Sequence, residues 1–210
     1  MNEKTTQDIK WKTIPTKEII ERTIVSLKKN GMDAIFVEKG EAKQKVLELI
    51  PKGAEIMTMT SVTLDALGIK EAIDNSEEYD AVRKKLATMN KATQSREMQK
   101  LGAAPDWAIG SVHAITENGQ VVVASNTGSQ LPAYVYASNH VIWVVGAQKI
   151  VENLDEAMKR LYEYTLPLES ERARKAYNVP GSNVSKMLVV SKEINAGRIT
   201  VVIVNDVLGY

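Results

Sequence analysis

Several residue types that often carry chemistry are rare or missing in this chain of 210 residues. It has no cysteine, which excludes disulfides, thiolate metal ligands and cysteine nucleophiles within the chain. It has only two histidines, His113 and His140, so a histidine-rich metal site is not expected. We therefore expect neither an iron–sulfur cluster nor a structural metal, while the identity of any other cofactor is unknown.

An excess of charge of one sign and long apolar runs are also lacking. The 27 lysines and arginines nearly balance the 26 aspartates and glutamates, which argues against nucleic acid as a partner. Apolar runs such as "VIWVV" are far shorter than the roughly 20 residues that a membrane helix needs. The opening "MNEKTTQDIK" has no apolar segment typical of a signal peptide. We expect no membrane span and a cytoplasmic location.

The first half of the chain alternates between helical and strand patterns. Ile20, Ile24 and Leu27 predict a helix that begins near Thr16 and ends near Gly31. The stretches that follow predict a strand, a helix, a strand and a further helix: "MDAIFVEKG", "EAKQKVLELI", "AEIMTMT" and "SVTLDALGIKEAI". Residues 77–101 contain neither proline nor glycine and predict one long helix.

The second half predicts several buried strands. "WAIGSVHAI", "QVVVAS" and "HVIWVV" resemble adjacent strands, and "KMLVVS" and "RITVVIVND" add two more. Between them "NLDEAMKRLYEYT" predicts a helix that Pro167 should break. Continuous apolar runs are typical of strands covered on both faces. We therefore predict an α/β fold with a mostly parallel sheet covered by helices, formed by residues 16–210 after an N-terminal extension of residues 1–15.

A junction between a strand and a helix at "MTMTSVTLDALG" is the first candidate site. Free N–H groups at a helix start, beside the hydroxyls of Ser61 and Thr63, attract an anion such as phosphate or carboxylate. Helix capping by Ser61 explains the same residues without a ligand. Ligands of parallel α/β folds usually bind at the carboxyl ends of the strands, where this junction should lie.

The loop in "VVVASNTGSQLPAY" is the second candidate, because small polar residues end a strand there and a helix should begin near Leu131 or Pro132. The alternative is an ordinary junction with no ligand. Beyond the next strand Lys149 is placed to neutralise an anion, unless it is a surface lysine. The candidate ligand-binding residues of this region are Asn126, Thr127, Gly128, Gln130 and Lys149.

Two further candidates lie in "SVHAITENGQVVV". His113 either points into the pocket or forms hydrogen bonds in the core. Glu117 is the candidate catalytic residue, as a general base or nucleophile, although it adjoins the favourable hairpin dipeptide Asn118-Gly119 and is equally explained as a solvated turn residue.

These stretches, in their order, resemble the LUD family, the lactate-utilisation domain proteins that include lactate-utilisation protein C. The resemblance runs from about residue 16 to the end and includes "TSVTLDALGI", "NTGSQLPAYVYASNHVIWVVGAQKIVENLDEAMKRL" and "RITVVIVNDVLGY". Met59 and Thr60 stand where the family usually has two glycines, and Gln130 stands where many relatives carry arginine. Some members also have a cysteine cluster near "NVPGSNVSK", which this chain lacks.

The resemblance implies a fold similar to the ribose-5-phosphate isomerase, glucosamine-phosphate deaminase and CoA-transferase group. It implies an accessory or ligand-binding role in lactate or organic-acid metabolism, with a small anionic ligand and with oxidoreductase or iron–sulfur proteins as partners. One alternative is a stand-alone isomerase or transferase acting on a sugar-phosphate or CoA-linked substrate, in which Glu117 is the base or nucleophile and Lys149 holds the anion. A structural or regulatory protein with a vestigial pocket is a further possibility.

Overall fold

The computed structural model describes residues 9–210, in which ten strands form two sheets. The larger sheet has the order β1-β10-β7-β4-β2-β3, and every neighbouring pair is parallel. Its strands are β1 (Asp33–Glu38), β2 (Glu55–Thr58), β3 (Asp80–Ala81), β4 (Trp107–Gly110), β7 (His140–Gly146) and β10 (Ile199–Asn205). The prediction of an α/β fold with a parallel sheet is confirmed, and all six carboxyl ends lie along one edge, called the carboxyl edge below.

The smaller sheet has the order β8-β5-β6-β9 and mixes parallel and antiparallel pairs. Its strands are β5 (Ala114–Thr116), β6 (Val121–Ser125), β8 (Ile150–Val151) and β9 (Lys186–Val190). The prediction that "WAIGSVHAI", "QVVVAS" and "HVIWVV" are adjacent strands is confirmed for two pairs, since β4 pairs with β7 and β5 pairs with β6, but the two pairs lie in different sheets. The chain leaves the larger sheet after Gly110 and enters the smaller one at Ala114, and because β4, β5 and β6 are all largely buried, their apolar content does not show that they belong to two sheets.

Helices cover both sheets. They are α1 (Lys17–Lys29), α2 (Lys39–Glu48), α3 (Val62–Ala66), α4 (Ile69–Asp74), α5 (Val82–Thr88), α6 (Ser95–Ala103), α7 (Leu154–Lys159) and α8 (Leu166–Tyr177). Two π-helical segments, Ala133–Ala137 and Arg160–Thr165, and a 3₁₀ turn, Ala147–Lys149, complete the regular structure outside residues 9–12, which are also helical.

The long helix predicted over residues 77–101 is wrong. The segment instead contains β3, α5 and α6, and the backbone at Met89 is extended. Polar side chains form local hydrogen bonds there that compete with a helix: Asn90 Oδ1 accepts from the Ala92 N–H at 2.9 Å, and Gln94 Oε1 accepts from the Asn90 N–H at 2.8 Å. A helix therefore ends here without proline or glycine.

The break predicted at Pro167 is also absent, because the chain stays helical from Leu154 to Tyr177. Pro167 lies in the first turn of α8, directly after the π-helical segment Arg160–Thr165. Proline has no N–H to donate to the preceding turn, which is why it normally breaks a helix. Here the missing donor falls where the hydrogen bonds change from π to α spacing, since the Leu166 N–H donates to the Leu161 carbonyl oxygen, and the helix continues.

Apolar side chains fill three layers. One cluster lies between the two sheets and includes Leu27, Val123 and Trp143, and a second packs on the other face of the larger sheet. The third covers the outer face of the smaller sheet and includes Trp11, from the part of the predicted extension that the structure describes. Residues 1–8 lie outside the described residues, and the boundary at residue 15 stays a prediction.

The Gly110→Ala substitution should destabilise the protein, because a Cβ at this strand end would lie 1.8 Å from Tyr134 Oη and 3.2 Å from Met59 Cβ. We expect the free energy of unfolding to fall by about 1–3 kcal/mol, as measured in urea. Gly102→Ala is the matched control, since nothing lies within 4 Å of its Cβ position in α6. The control should match the native protein or exceed it by up to about 1 kcal/mol. Equal losses in both variants would contradict the steric explanation.

Candidate functional site

A group of polar residues lies at the centre of the carboxyl edge. Four neighbouring strands, in the order β10-β7-β4-β2, each lead into it. Thr63 follows β2, Ser111 follows β4, Lys149 follows β7, and Gly209 follows β10. We call these four residues the edge site. Their convergence is a consequence of the parallel sheet, because the carboxyl ends of parallel strands meet along one edge.

Lys149 is the basic residue of the edge site, and it is only 2% exposed. Its Nζ lies 3.3 Å from Thr63 Oγ1, 3.3 Å from Ser111 Oγ and 3.1 Å from the Val112 carbonyl oxygen. These three acceptors are uncharged, and within residues 9–210 no carboxylate forms an ion pair with Lys149. Burial lowers the pKa of Lys149 well below its usual value, and the charge of Arg160 lowers it further.

The hydroxyl groups around Lys149 form a short network. The Ser111 and Thr63 hydroxyl oxygens are 3.3 Å apart, and Thr63 Oγ1 donates to the Leu208 carbonyl oxygen at 3.3 Å. Gly209 has a φ of 59°, and a Cβ there would lie 2.6 Å from Thr63 Oγ1 and 3.5 Å from Lys149 Nζ. The absence of a side chain at Gly209 therefore allows the chain after β10 to pass directly over the amine.

Arg160 is a second buried cation, fully inaccessible to solvent. Its Nη1 donates to the His113 carbonyl oxygen at 2.6 Å and to Thr165 Oγ1 at 3.1 Å, whereas Nε and Nη2 are buried without a hydrogen-bond partner. The guanidinium also lies 5.3 Å from the centre of the Tyr164 ring. Burial lowers the pKa of Arg160 to about 10, so it stays charged at neutral pH. Arg160 and Lys149 are thus two buried basic groups that influence each other, and within residues 9–210 neither forms an ion pair with a carboxylate.

His113 lies beside both cations. Its Nδ1 accepts a hydrogen bond from the Ala124 N–H at 3.0 Å, which leaves the ring proton on Nε2. Burial lowers the pKa of His113 to about 3, and the charges of Lys149 and Arg160 act in the same direction, while Glu169 opposes them. His113 is therefore neutral at neutral pH and adds no charge to the site.

The carboxylate of Glu169 raises the pKa of His113, but this carboxylate already has hydrogen-bond partners. Arg172 Nη2 and Nε donate to its two oxygens at 2.7 and 2.8 Å, and Tyr210 Oη donates at 2.7 Å. Although burial raises the pKa of Glu169, these hydrogen bonds hold it below the usual value. The carboxylate therefore stays ionised and engaged with Arg172, and it does not neutralise Lys149.

Among the residues proposed from the sequence, the structure brings Thr63, His113 and Lys149 together. Ser61 lies two residues before Thr63 and caps α3, since its Oγ accepts from the Leu64 N–H at 3.4 Å. That helix has only five residues, so capping explains Ser61, and its ligand-binding role stays a prediction.

Glu117 is not part of this group. It lies at the turn between β5 and β6, where Arg22 Nη2 donates to its carboxylate at 2.7 Å. The five residues of β6 separate this turn from the other end of the hairpin, a distance of about 16 Å at about 3.3 Å per residue. His113 and Lys149 lie towards that other end. The catalytic role of Glu117 stays a prediction that no contact in the edge site supports.

The loop after β6 lies at the same end of the hairpin as His113, and its polar groups mainly bond to one another. Ser125 Oγ accepts from the Gly128 N–H at 2.8 Å and donates to Gln130 Oε1 at 3.0 Å. Asn126 Oδ1 accepts from Ser185 Oγ at 3.0 Å, and the Thr127 hydroxyl donates to Ser129 Oγ at 3.2 Å. These bonds explain the composition of the loop, and its ligand-binding role stays a prediction.

Two residues of the site were missed by sequence reasoning. Ser111 directly follows the apolar strand "WAIG", a position that a search of strand ends would have found. Arg160 lies three residues after Ala157 and four before Tyr164, and both of these residues are buried. A charged residue at helical spacing from apolar residues was therefore a usable signal.

The fold and the edge site define a class: an α/β protein whose parallel sheet presents buried basic groups at its carboxyl edge. The LUD-domain family matches residues 20–204, and the chain belongs to this family. Among curated proteins, none is similar enough in sequence to count as a match.

Three solved structures are similar to this chain, and the first, with a TM-score above 0.5, agrees with the fold. A DUF162-family protein from Deinococcus radiodurans has a TM-score of 0.54 at 13% identity, covering 90% of this chain and 99% of that one. A D-ribose-5-phosphate isomerase in complex with phospho-erythronic acid has a TM-score of 0.40 at 12% identity, covering 81% and 95% of the two chains. The ribose 5-phosphate isomerase of Plasmodium falciparum has a TM-score of 0.32 at 16% identity, covering 61% and 66%.

Two features are absent from the described part of the chain. Across residues 9–210 no helix has the length and apolar character to cross a membrane. Over the same residues, no three histidine, aspartate or glutamate side chains are grouped as metal ligands would be.

The His113→Asn substitution should make the protein less sensitive to acid. The native histidine has a pKa of about 3 when folded and about 6.5 when unfolded, so the unfolded state binds more protons below about pH 6.5. Native stability should therefore fall by up to about 2 kcal/mol from about pH 7 to about pH 5 through this group. The amide oxygen of the introduced side chain would keep an acceptor for the Ala124 N–H while removing this dependence. Urea unfolding at both pH values measures the difference, and equal losses in the two proteins would contradict the assignment.

Proposed function

We propose that this protein binds a small organic anion, of the size and charge of lactate, at the edge site. The observation that supports this function is the buried Lys149 amine, which has three uncharged acceptors and no carboxylate partner within the described residues. A buried cation without a counter-ion is costly, and a bound carboxylate would supply the missing charge. The hydroxyls of Thr63 and Ser111 now donate to the Leu208 carbonyl oxygen and to Thr63 Oγ1, and each would turn from that acceptor to donate to the same carboxylate.

Arg160 supports the choice of an anion over a neutral ligand. Its charge lowers the pKa of Lys149, which means that the two cations repel each other in the ligand-free protein. An anion near Lys149 would reduce that repulsion as well as pair with the amine. Both effects favour a negatively charged ligand over a neutral one of the same shape.

The proposed biological role is that of a ligand-binding or accessory component of lactate or related organic-acid metabolism. A chain without cysteine cannot itself hold a cysteine-ligated iron–sulfur cluster, so electrons from an oxidised acid would have to pass to a partner. Oxidoreductase or iron–sulfur proteins are the proposed partners, as the family resemblance implies. The alternative of an isomerase or transferase that uses Glu117 has no supporting contact, because that carboxylate pairs with Arg22.

The Lys149→Met substitution should abolish acid binding. A ligand present at about 100 times its dissociation constant stabilises the native protein by roughly 2.7 kcal/mol, which corresponds to a rise of about 5–10 °C in melting temperature. In a thermal-shift series with lactate, glycolate, acetate and inorganic phosphate, at least one anion should raise the melting temperature of the native protein. The variant should show no rise.

Two controls accompany this measurement. Lys175→Met replaces an exposed lysine of α8, 75% accessible at its side chain, and should bind like the native protein. Without ligand, Lys149→Met should be at least as stable as the native protein, because it removes a buried cation without a counter-ion. An acid-induced rise that persists in Lys149→Met would overturn the proposed function.

Acid binding should weaken as pH rises. Burial and Arg160 lower the pKa of Lys149 in the free protein, and a bound carboxylate would raise it again, so binding takes up a proton. Affinity should fall as pH rises through the pKa of the Lys149 amine in the free protein, by at most about tenfold per pH unit. His113, with a pKa of about 3, and Glu169, held ionised by Arg172, keep their charge states at neutral pH and above. Calorimetry in two buffers of different ionisation enthalpy measures the proton uptake, and affinity that is constant with pH would contradict the role of Lys149.

A further inference from the structure

We propose that the Lys149 amine forms an imine with a small 2-oxo acid bound at the edge site, which would make this lysine a covalent attachment point for carbonyl compounds. The inference rests on the proposed function, since the same site must first accept the carboxylate of the acid. It goes beyond that function because it assigns a bond-forming role to one atom, Lys149 Nζ.

The surroundings of the amine suit nucleophilic attack. Only a neutral amine attacks a carbonyl carbon, and lysines that form imines are usually found buried or next to another cation. Lys149 meets both conditions, because it is 2% exposed and the charge of Arg160 acts on it. No carboxylate pairs with it in residues 9–210, so hydrogen bonds to three uncharged oxygens are the polar contacts that stabilise its charged form there.

The hydroxyl groups supply the proton transfers that the reaction needs. The nitrogen adds to the carbonyl carbon, the carbonyl oxygen gains a proton, and the nitrogen loses one, which gives a carbinolamine. Loss of water then forms the C=N bond, so one water leaves and no oxidation or reduction takes place. Ser111 Oγ and Thr63 Oγ1, each 3.3 Å from Nζ and 3.3 Å from each other, are placed to pass these protons.

A positive charge that attracts the carboxylate of the acid remains in the site when Lys149 loses its proton. Arg160, with a pKa of about 10, stays positive at neutral pH and acts on Lys149 through the same low-dielectric interior. The positive potential of the site therefore has two sources. One of them can become neutral for reaction while the other still attracts the acid, which favours a 2-oxo acid over a simple aldehyde or ketone.

The amine is closest to solvent on the side of Ser111 and Gly209. Both residues are partly exposed, Ser111 Oγ lies 3.3 Å from Nζ, and the Cβ position of Gly209 lies 3.5 Å from it. An incoming 2-oxo acid would approach the amine between these two residues.

Reductive trapping tests the proposal on the intact chain. The protein is incubated with glyoxylate or pyruvate, the two smallest 2-oxo acids, in cyanoborohydride, and the modified residue is located by peptide mass spectrometry. We expect an adduct at Lys149 with a mass gain of the acid plus two hydrogens minus one water. Its yield should exceed that at any exposed lysine by at least about tenfold. Acetone, which lacks the carboxylate, should label Lys149 at least about tenfold less than pyruvate does.

Lactate separates this proposal from the proposed function, because it carries the carboxylate of a 2-oxo acid but no keto group and so cannot form an imine. Lys149→Met should give no adduct at position 149, whereas Lys175→Met, which replaces an exposed lysine of α8, should be labelled at Lys149 like the native protein. Native protein that lactate stabilises but pyruvate does not label at Lys149 would overturn the imine and leave anion binding intact. Labelling spread equally over exposed lysines would also overturn it. Protein that neither lactate nor pyruvate stabilises would overturn the proposed function itself.

Discussion

The burial of the Lys149 amine where four parallel strands end is the constraint on which the rest of the site depends. Three uncharged oxygens, from Thr63, Ser111 and Val112, surround the nitrogen. An amine in this position loses most of its contact with water, and hydrogen bonds to neutral oxygens replace only part of that loss. The site therefore favours either a bound anion or a neutral amine, and both proposed activities follow from these two states.

The architecture explains how such a position arises. A parallel sheet brings all its carboxyl ends to one edge, so residues far apart in the chain, such as Thr63 and Gly209, become neighbours. The smaller sheet then supports the site from one side, because Ala124 fixes the ring of His113 and the carbonyl of His113 holds Arg160. Arg160 itself comes from the π-helical segment that also accommodates Pro167. The π-helical segment thus carries one of the buried charges of the site.

Sequence patterns predicted the parts of the site that follow from a strand or helix boundary. Thr63 and Lys149 were found because each follows a predicted strand, and their placement at the carboxyl edge agrees with that reasoning. Glu117 and the loop of residues 126–130 satisfied similar patterns, yet their polar groups bond to Arg22 and within the loop. A polar residue near a strand end has the same appearance in sequence whether it binds a ligand or completes a turn. Only its partners in space distinguish the two.

The sequence by itself determined the α/β class, the elements from Thr16 to Ser61, and the exclusion of cysteine chemistry, because periodicity and composition are local properties. The tertiary structure alone decided the division of the strands between two sheets, the burial of Lys149 and Arg160, and the pairing of Glu117 with Arg22. Those features depend on contacts between residues many positions apart. The physical reason is that burial and charge pairing are set by neighbours in space, and no spacing along the chain records them.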